Sequence, residues 1–220
     1  MTVKKIIEAN WLGDLVTFEA HYDRFRNFIQ PGTWKEAPGP GEGLIYNLGP
    51  HLIDQALVLF GKPNTVLGLM AKSRPGSQVN DDFEIILQYD RLKVSLNSSY
   101  LVKQPYPRFA LHGTMGSFLK YGLDPQEELL KKGILPILND WGVEEESIHG
   151  KINYISSLGL EMNGTVESVP GNYGAFYQAL YSSIRKNEDV PVKPEDAMMG
   201  ISIIEKAIES ALELKFIHIK

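Results

Sequence analysis

The feature that most limits how this chain can fold is a block of short, strand-like runs in its middle. Residues 66–71, 83–89, 92–100, 108–112 and 116–120 are rich in Val, Ile, Leu, Phe and Tyr. They are separated only by tight turn material such as Arg74-Pro75-Gly76, Asn80-Asp81-Asp82 and Asp90-Arg91. Connections that short cannot carry crossover helices, so the block predicts an antiparallel or mixed sheet and excludes a repeated βαβ arrangement. Helical patterns lie on both sides. A short helix is expected over 3–11, ended near Gly13, followed by a strand over 15–22. An apolar helix is expected over 44–60, stopped by Gly61 and Pro63. A further short helix is expected over 126–132, with irregular chain over 133–171 relieved by one strand near 165–169.

Two helices close the sequence. The first, over 173–187, carries Phe176, Leu180 and Ile184 on one face. The second opens at Pro194, a proline suited to a first helical position, and runs to about Phe216. Ala197, Ile201, Ile204, Ile208, Ala211 and Leu212 recur there near the helical period. The order of elements predicts an α+β domain over residues 1–220. Its architecture is an open, predominantly antiparallel sheet of five to seven strands, with helices packed on one face.

Composition narrows the chemistry. The 220 residues include no cysteine, which removes disulfides, thiolate metal sites and cysteine nucleophiles. The net charge of −5 comes without any basic run, so no nucleic-acid partner is expected. No apolar stretch is long enough to span a bilayer and no secretory leader is apparent, so a cytoplasmic location is expected. The scattered His112, His149 and His218 lack metal-ligand spacing, and no metal is expected. Gly39-Pro40-Gly41-Glu42-Gly43 fails as a dinucleotide fingerprint, because Leu44 follows it and loop precedes it.

The densest candidate site is Asn47-Leu48-Gly49-Pro50-His51-Leu52-Ile53-Asp54. On a helix, Asn47, His51 and Asp54 share one edge. A histidine so placed suits proton transfer to a hydroxyl or carbonyl, although a capping cluster would read the same way. His21-Tyr22-Asp23-Arg24-Phe25-Arg26, ending the first strand, could bind a polyol or merely form an Asp–Arg surface pair. The long loop over 27–43 holds Trp34 and Glu36, an aromatic beside a carboxylate. That combination fits sugar stacking as well as simple loop anchoring.

The stretch Gly41-Glu42-Gly43-Leu44-Ile45-Tyr46-Asn47-Leu48-Gly49-Pro50-His51-Leu52-Ile53-Asp54, its apolar continuation and Gly61-Lys62-Pro63 resemble a known signature helix. It is that of the glucose–fructose oxidoreductase / inositol dehydrogenase (Gfo/Idh/MocA) family. His112-Gly113-Thr114-Met115-Gly116-Ser117-Phe118 is similar to the family's G-T-x-G hairpin, and Asp124-Pro125-Gln126-Glu127 to the helix after it. The resemblance implies a C-terminal half: a single substrate-binding and oligomerisation domain over 1–220, with the N-terminal Rossmann domain and its E-K-P lysine absent. It implies His51 as the catalytic histidine with Asn47 beside it, and it places Asp54 at a position of the motif; Tyr22, Arg24, Trp34 and Asp54 are the substrate-binding candidates of this sequence.

Where many members carry Asp, this sequence has Asn47, and an amide places no negative charge beside the imidazole. NAD(P) is implied for a complete enzyme of the family and no cofactor for this chain alone. A small polyol or sugar is the implied substrate, and a homodimer or homotetramer through the sheet the implied assembly. The missing lysine motif leaves two alternatives. One is a non-catalytic relic or interaction subunit that pairs with a separate dinucleotide-binding chain. The other is a lyase or isomerase in which Tyr22, Lys103 or Arg108 converges on His51.

Overall fold

In the computed structural model, which describes residues 1–136 and 141–219 (for Trp34 the backbone only), nine strands form one sheet. In chain order they are β1 (Leu15–His21), β2 (Thr65–Ala71), β3 (Asp82–Gln88), β4 (Lys93–Ser99), β5 (Phe109–Gly113), β6 (Gly116–Lys120), β7 (Gly150–Ile155), β8 (Glu161–Val166) and β9 (Ile217–His218). Their order across the sheet is β8-β7-β6-β5-β1-β4-β3-β2-β9. Every pairing is antiparallel except that of β1 with β4. The strand nearest the N-terminus therefore lies at the centre of the sheet.

The helices are α1 (Thr2–Glu8), α2 (Leu44–Phe60), α3 (Gln126–Lys131), α4 (Tyr173–Lys186) and α5 (Pro194–Glu213). The core lies between one face of the sheet and the pair α2 and α5. Phe18, Val66, Phe83, Ile85, Leu87, Val94, Leu96, Leu111 and Phe118 point toward the helices, where Leu48, Leu52, Ile53, Ile204 and Ala207 meet them. The strand registers put Thr17, Glu19, Gln88, Lys93, Ser95 and Asn97 on the opposite face, because side chains alternate across a strand.

Two close approaches fix the helices. A Cβ on Gly68 would sit 2.1 Å from the Ala207 carbonyl oxygen, so α5 lies directly on the β2 backbone. The Gly68 amide, aimed away from β3, donates to Ser210 Oγ at 3.1 Å. The start of α2 is capped from outside the helix. Asn80, in the β2–β3 connection, accepts from the Ile45 amide through Oδ1 at 2.9 Å and from the Leu44 amide through its carbonyl at 2.8 Å. Gly43, at φ 87°, lets the chain enter that cap.

The sheet is larger than the sequence predicts. Residues 133–171, expected to be mostly irregular with one strand near 165–169, contain the β7–β8 hairpin. β8 is an edge strand with little burial along its length, so it carries no apolar alternation to reveal it. Its order comes from pairing with β7, reinforced by Asn153 donating to Asn163 (2.6 Å) and Lys151 to Thr165 (3.0 Å). The first helix ends short of Trp11, since Asn10 takes a left-handed conformation at φ 54°. In α5 the inward face is Ile203, Ile204, Ala207 and Ser210, whereas Ile201 and Leu212 are exposed. That helix is apolar on more than one side, so periodicity alone does not select the buried stripe. In α4 the expected apolar face of Phe176, Leu180 and Ile184 points outward.

Candidate functional site

The α2 helix spans Leu44–Phe60, as its apolar pattern and the glycines at each end predict. Leu48, Leu52, Ile53 and Ala56 bury one side, which leaves Asn47, His51 and Asp54 along the other. His51 is exposed and makes no hydrogen bond among the described residues. Its ring meets Tyr22 edge to face, with centroids 5.9 Å apart. Asn47 turns away: its amide donates to Tyr100 Oη at 3.4 Å and caps nothing. The capping alternative is thereby removed, because Asn80 already occupies the helix start. Asp54 is exposed and forms no ion pair among the described residues.

Tyr22 lies just beyond β1 and gathers the cationic groups. The Arg108 guanidinium lies 4.7 Å from its ring centroid and that of Arg24 5.6 Å. Arg108 is buried; it donates to the His21 carbonyl at 2.6 Å and to Gln55 Oε1 at 3.0 Å. Burial pushes its pKa down to about 10, partly offset by Tyr22 and Asp23, so it stays charged at neutral pH. Arg24 Nε is buried without a partner. The Asp–Arg pair open from sequence does not form: Asp23 instead receives His21 Nδ1 at 3.0 Å and the Ser99 amide at 3.0 Å.

Two further residues enter from far along the chain. Glu127, on α3, has its carboxyl held below the usual range by its hydrogen bond from Lys131, with Arg24 and His51 adding to the effect. Tyr173, opening α4, is raised by burial and by Asp124, Glu127 and Tyr22. The placement of Tyr173 depends on Gln126, whose side chain holds Asp124 at 2.8 Å and accepts the Tyr173 amide at 2.9 Å. Glu127 was within reach of sequence reasoning through the Asp124-Pro125-Gln126-Glu127 stretch. Tyr173 had no such signal.

The loop over 27–43 is fastened rather than loose. Glu36 is spent on Arg74, which donates to both its oxygens at 3.1 and 2.7 Å, so the sugar-binding alternative for that carboxylate fails. Arg74 also donates to Asp81 at 2.9 Å and to the Phe28 carbonyl at 2.6 Å, and its guanidinium lies 4.6 Å from the Tyr100 ring centroid. Trp34 opens the short 3-10 turn Trp34–Glu36, and its side chain lies outside the described residues. Lys103 reaches the Phe25 ring, not His51.

The site is an open surface. Two cavities lie elsewhere: one of about 440 Å³ beside Trp11, Met115 and Tyr154, the other of about 600 Å³ beside Lys62, Asn64 and His218. Nor do the described residues fit the pyrophosphate of a dinucleotide. The one glycine-led helix start is that of α2, and Asn80 already holds its first amides.

This fold and site define a class before they define a protein: an open sheet backed by two helices, with an exposed histidine on the inner helix. Residues 4–218 match the oxidoreductase family, C-terminal alpha/beta domain, and the chain belongs to that Gfo/Idh/MocA family. The uncharacterized oxidoreductase YdgJ of Escherichia coli strain K12 is 39% identical over 96% of this chain and 60% of its own length. The scyllo-inositol 2-dehydrogenase (NADP(+)) IolW of Bacillus subtilis strain 168 is 35% identical over 100% of this chain and 61% of its own. The structure of YvaA from Bacillus subtilis superposes with a TM-score of 0.92 at 34% identity, covering 100% of this chain and 62% of that one. This chain thus spans about three fifths of the length of the relatives it matches. Among the described residues no helix is long and apolar enough to cross a membrane.

Proposed function

We propose that this chain is the substrate-binding and oligomerisation portion of an NAD(P)-dependent oxidoreductase acting on a sugar or cyclitol. The carrying observation is His51, held on a rigid buried helix yet exposed beside Tyr22 and Arg24. A hydroxyl of a small polyol placed there would give its proton to the imidazole. Arg24, with an unpartnered buried Nε, and Asp54 would take neighbouring hydroxyls. The relative named scyllo-inositol 2-dehydrogenase (NADP(+)) supports a cyclitol in particular. The nicotinamide cofactor would be held by a complementary dinucleotide-binding unit and not by this domain alone. The cytoplasm, with its free nucleotide pools, is the compartment we assign to this work.

Assembly through the uncovered sheet face belongs to the same reading. That face is extensive and mixed, with Leu67, Leu69 and Ile86 in register with Glu84, Ser95 and Asn97, and a twofold axis would let it meet itself. Light scattering at micromolar concentration should give a mass near twice or four times that of the 24.7 kDa chain. A monomer across a tenfold dilution would overturn this part.

Calorimetric titration with scyllo-inositol tests the site. Binding is expected in the wild-type chain and its loss in His51→Ala; equal binding by both would overturn the role of His51. Titration with NADH, followed by nicotinamide fluorescence, should show no micromolar saturation, and saturation would overturn the division of labour. The second reading, a non-catalytic interaction subunit, draws on Asn47. It bonds Tyr100 and lends His51 no negative partner.

A further inference from the structure

Positive charge collects around Tyr22 without an acid to balance it, although the chain carries a net charge of −5. The guanidinium carbons of Arg24 and Arg108 lie 5.6 and 4.7 Å from the Tyr22 ring centroid. That of Arg26 lies 5.5 Å from the ring of Tyr100, the tyrosine that accepts from Asn47. None of the three arginines forms an ion pair among the described residues. The neighbouring acids are spent elsewhere. Asp23 receives His21 and the Ser99 amide. Glu36 and Asp81 hold Arg74, and Glu127 holds Lys131 at 2.9 Å. Asp54 is unpaired but exposed, where water and salt screen it. Guanidinium groups gathered on one ring repel each other and lose hydration, a cost that an arriving anion would offset.

Of the three, Arg24 is placed to receive that anion. Arg108 is fixed by its bonds to the His21 carbonyl and Gln55 Oε1, and adds charge from behind. Arg24 makes no side-chain hydrogen bond among the described residues, and of its three nitrogens only Nε is buried. Its two terminal nitrogens present the parallel donors that both oxygens of a carboxylate accept. The His51 ring centroid lies 5.9 Å from the same Tyr22 ring, so a molecule of sugar size reaches both His51 and Arg24.

We infer that the substrate is a sugar or cyclitol bearing a carboxylate, which Arg24 holds while the hydroxyl to be oxidised lies at His51. This rests on the proposed function and narrows its substrate class. A neutral polyol would occupy the same site more weakly, because it leaves the guanidinium charge unanswered.

Calorimetric titration of the full chain with D-glucuronate and D-glucose tests this, since the two differ by a carboxylate in place of a hydroxymethyl group. Glucuronate should bind more tightly by on the order of tenfold or more, the gain expected of a charge-assisted pair. Raising sodium chloride from about 20 to about 300 mM should shrink that advantage. In Arg24→Gln, checked by circular dichroism, the ratio of the two affinities should fall to about one. The salt series needs no variant and decides the matter even where Arg24→Gln misfolds. Equal binding of the two sugars by the wild-type chain, or an advantage that survives both salt and Arg24→Gln, would overturn the carboxylate assignment and spare the proposed function. Tighter binding of glucose 6-phosphate than of glucuronate would overturn it in favour of a phosphate. No binding of any of the three at tens of millimolar, nor of scyllo-inositol, would overturn the reading on which the assignment rests.

Discussion

Replacing Arg74 with Met removes the group that joins the 27–43 loop to the β2–β3 connection and to Tyr100. The Arg74 side chain is 1% exposed, with Glu36 at 8% and Asp81 at 0%. Methionine fills much of the volume but leaves two buried carboxylates without their cation. Breaking such a pair from one side costs about 3–5 kcal/mol, because the remaining charge keeps its desolvation penalty. Asp81 retains the Ser73 amide at 2.6 Å and the Arg74 amide at 3.2 Å, which favours the lower part of that range. At roughly 2–4 °C per kcal/mol for a chain of this size, the Tm should fall by about 6–15 °C.

The pH dependence follows from the same contacts. Asp81 is the more desolvated of the two acids, and backbone and Arg74 hydrogen bonds outweigh that burial and lower its pKa. Its contribution to stability is therefore complete above the ordinary Asp range near 4. It is lost as pH falls through the depressed native value. Without Arg74 burial weighs more heavily, so acid unfolding should begin at higher pH. Urea denaturation between pH 3 and 7 reads both effects. Adding Glu36→Gln to Arg74→Met should restore part of the loss, since a neutral amide tolerates burial better. A loss under 1 kcal/mol with an unchanged acid limb would refute the claim that this cluster fastens the loop.

Three other substitutions probe separate joints of the fold. Gly68→Ala drives a methyl into the Ala207 carbonyl and should cost about 3 kcal/mol, read by thermal melting; a change under 0.5 kcal/mol would mean α5 is not seated on β2. Asn80→Ala should cost about 1 kcal/mol through the lost cap, and Asn80→Asp much less in the same denaturation series, so equal losses would exclude capping as the cause. Gln126→Ala removes the acceptor for the Tyr173 amide; faster exchange in the first turn of α4 is expected, and an unchanged rate would show that α4 is anchored elsewhere.

Residues 44–60 illustrate what the sequence determines by itself. An apolar period, a glycine at each end and a proline just beyond are local properties, so the helix and the outward edge of Asn47, His51 and Asp54 follow from short-range physics. The alternating strands 65–71, 82–88 and 93–99 are readable for the same reason: one buried face imposes a two-residue period. The β8 strand was not legible, since its order is borrowed from β7 rather than from burial of its own side chains. Glu36 is a candidate sugar ligand until Arg74, far away in sequence, takes both its oxygens. Likewise Arg108, Glu127 and Tyr173 reach Tyr22 and His51 only through the sheet order and the Gln126 anchor. The α4 helix shows the division most clearly. Its period fixes which residues share a face, but whether that face turns inward depends on what else the tertiary structure supplies to cover it, and here its own domain covers Ser182 on the opposite side and leaves the apolar face exposed.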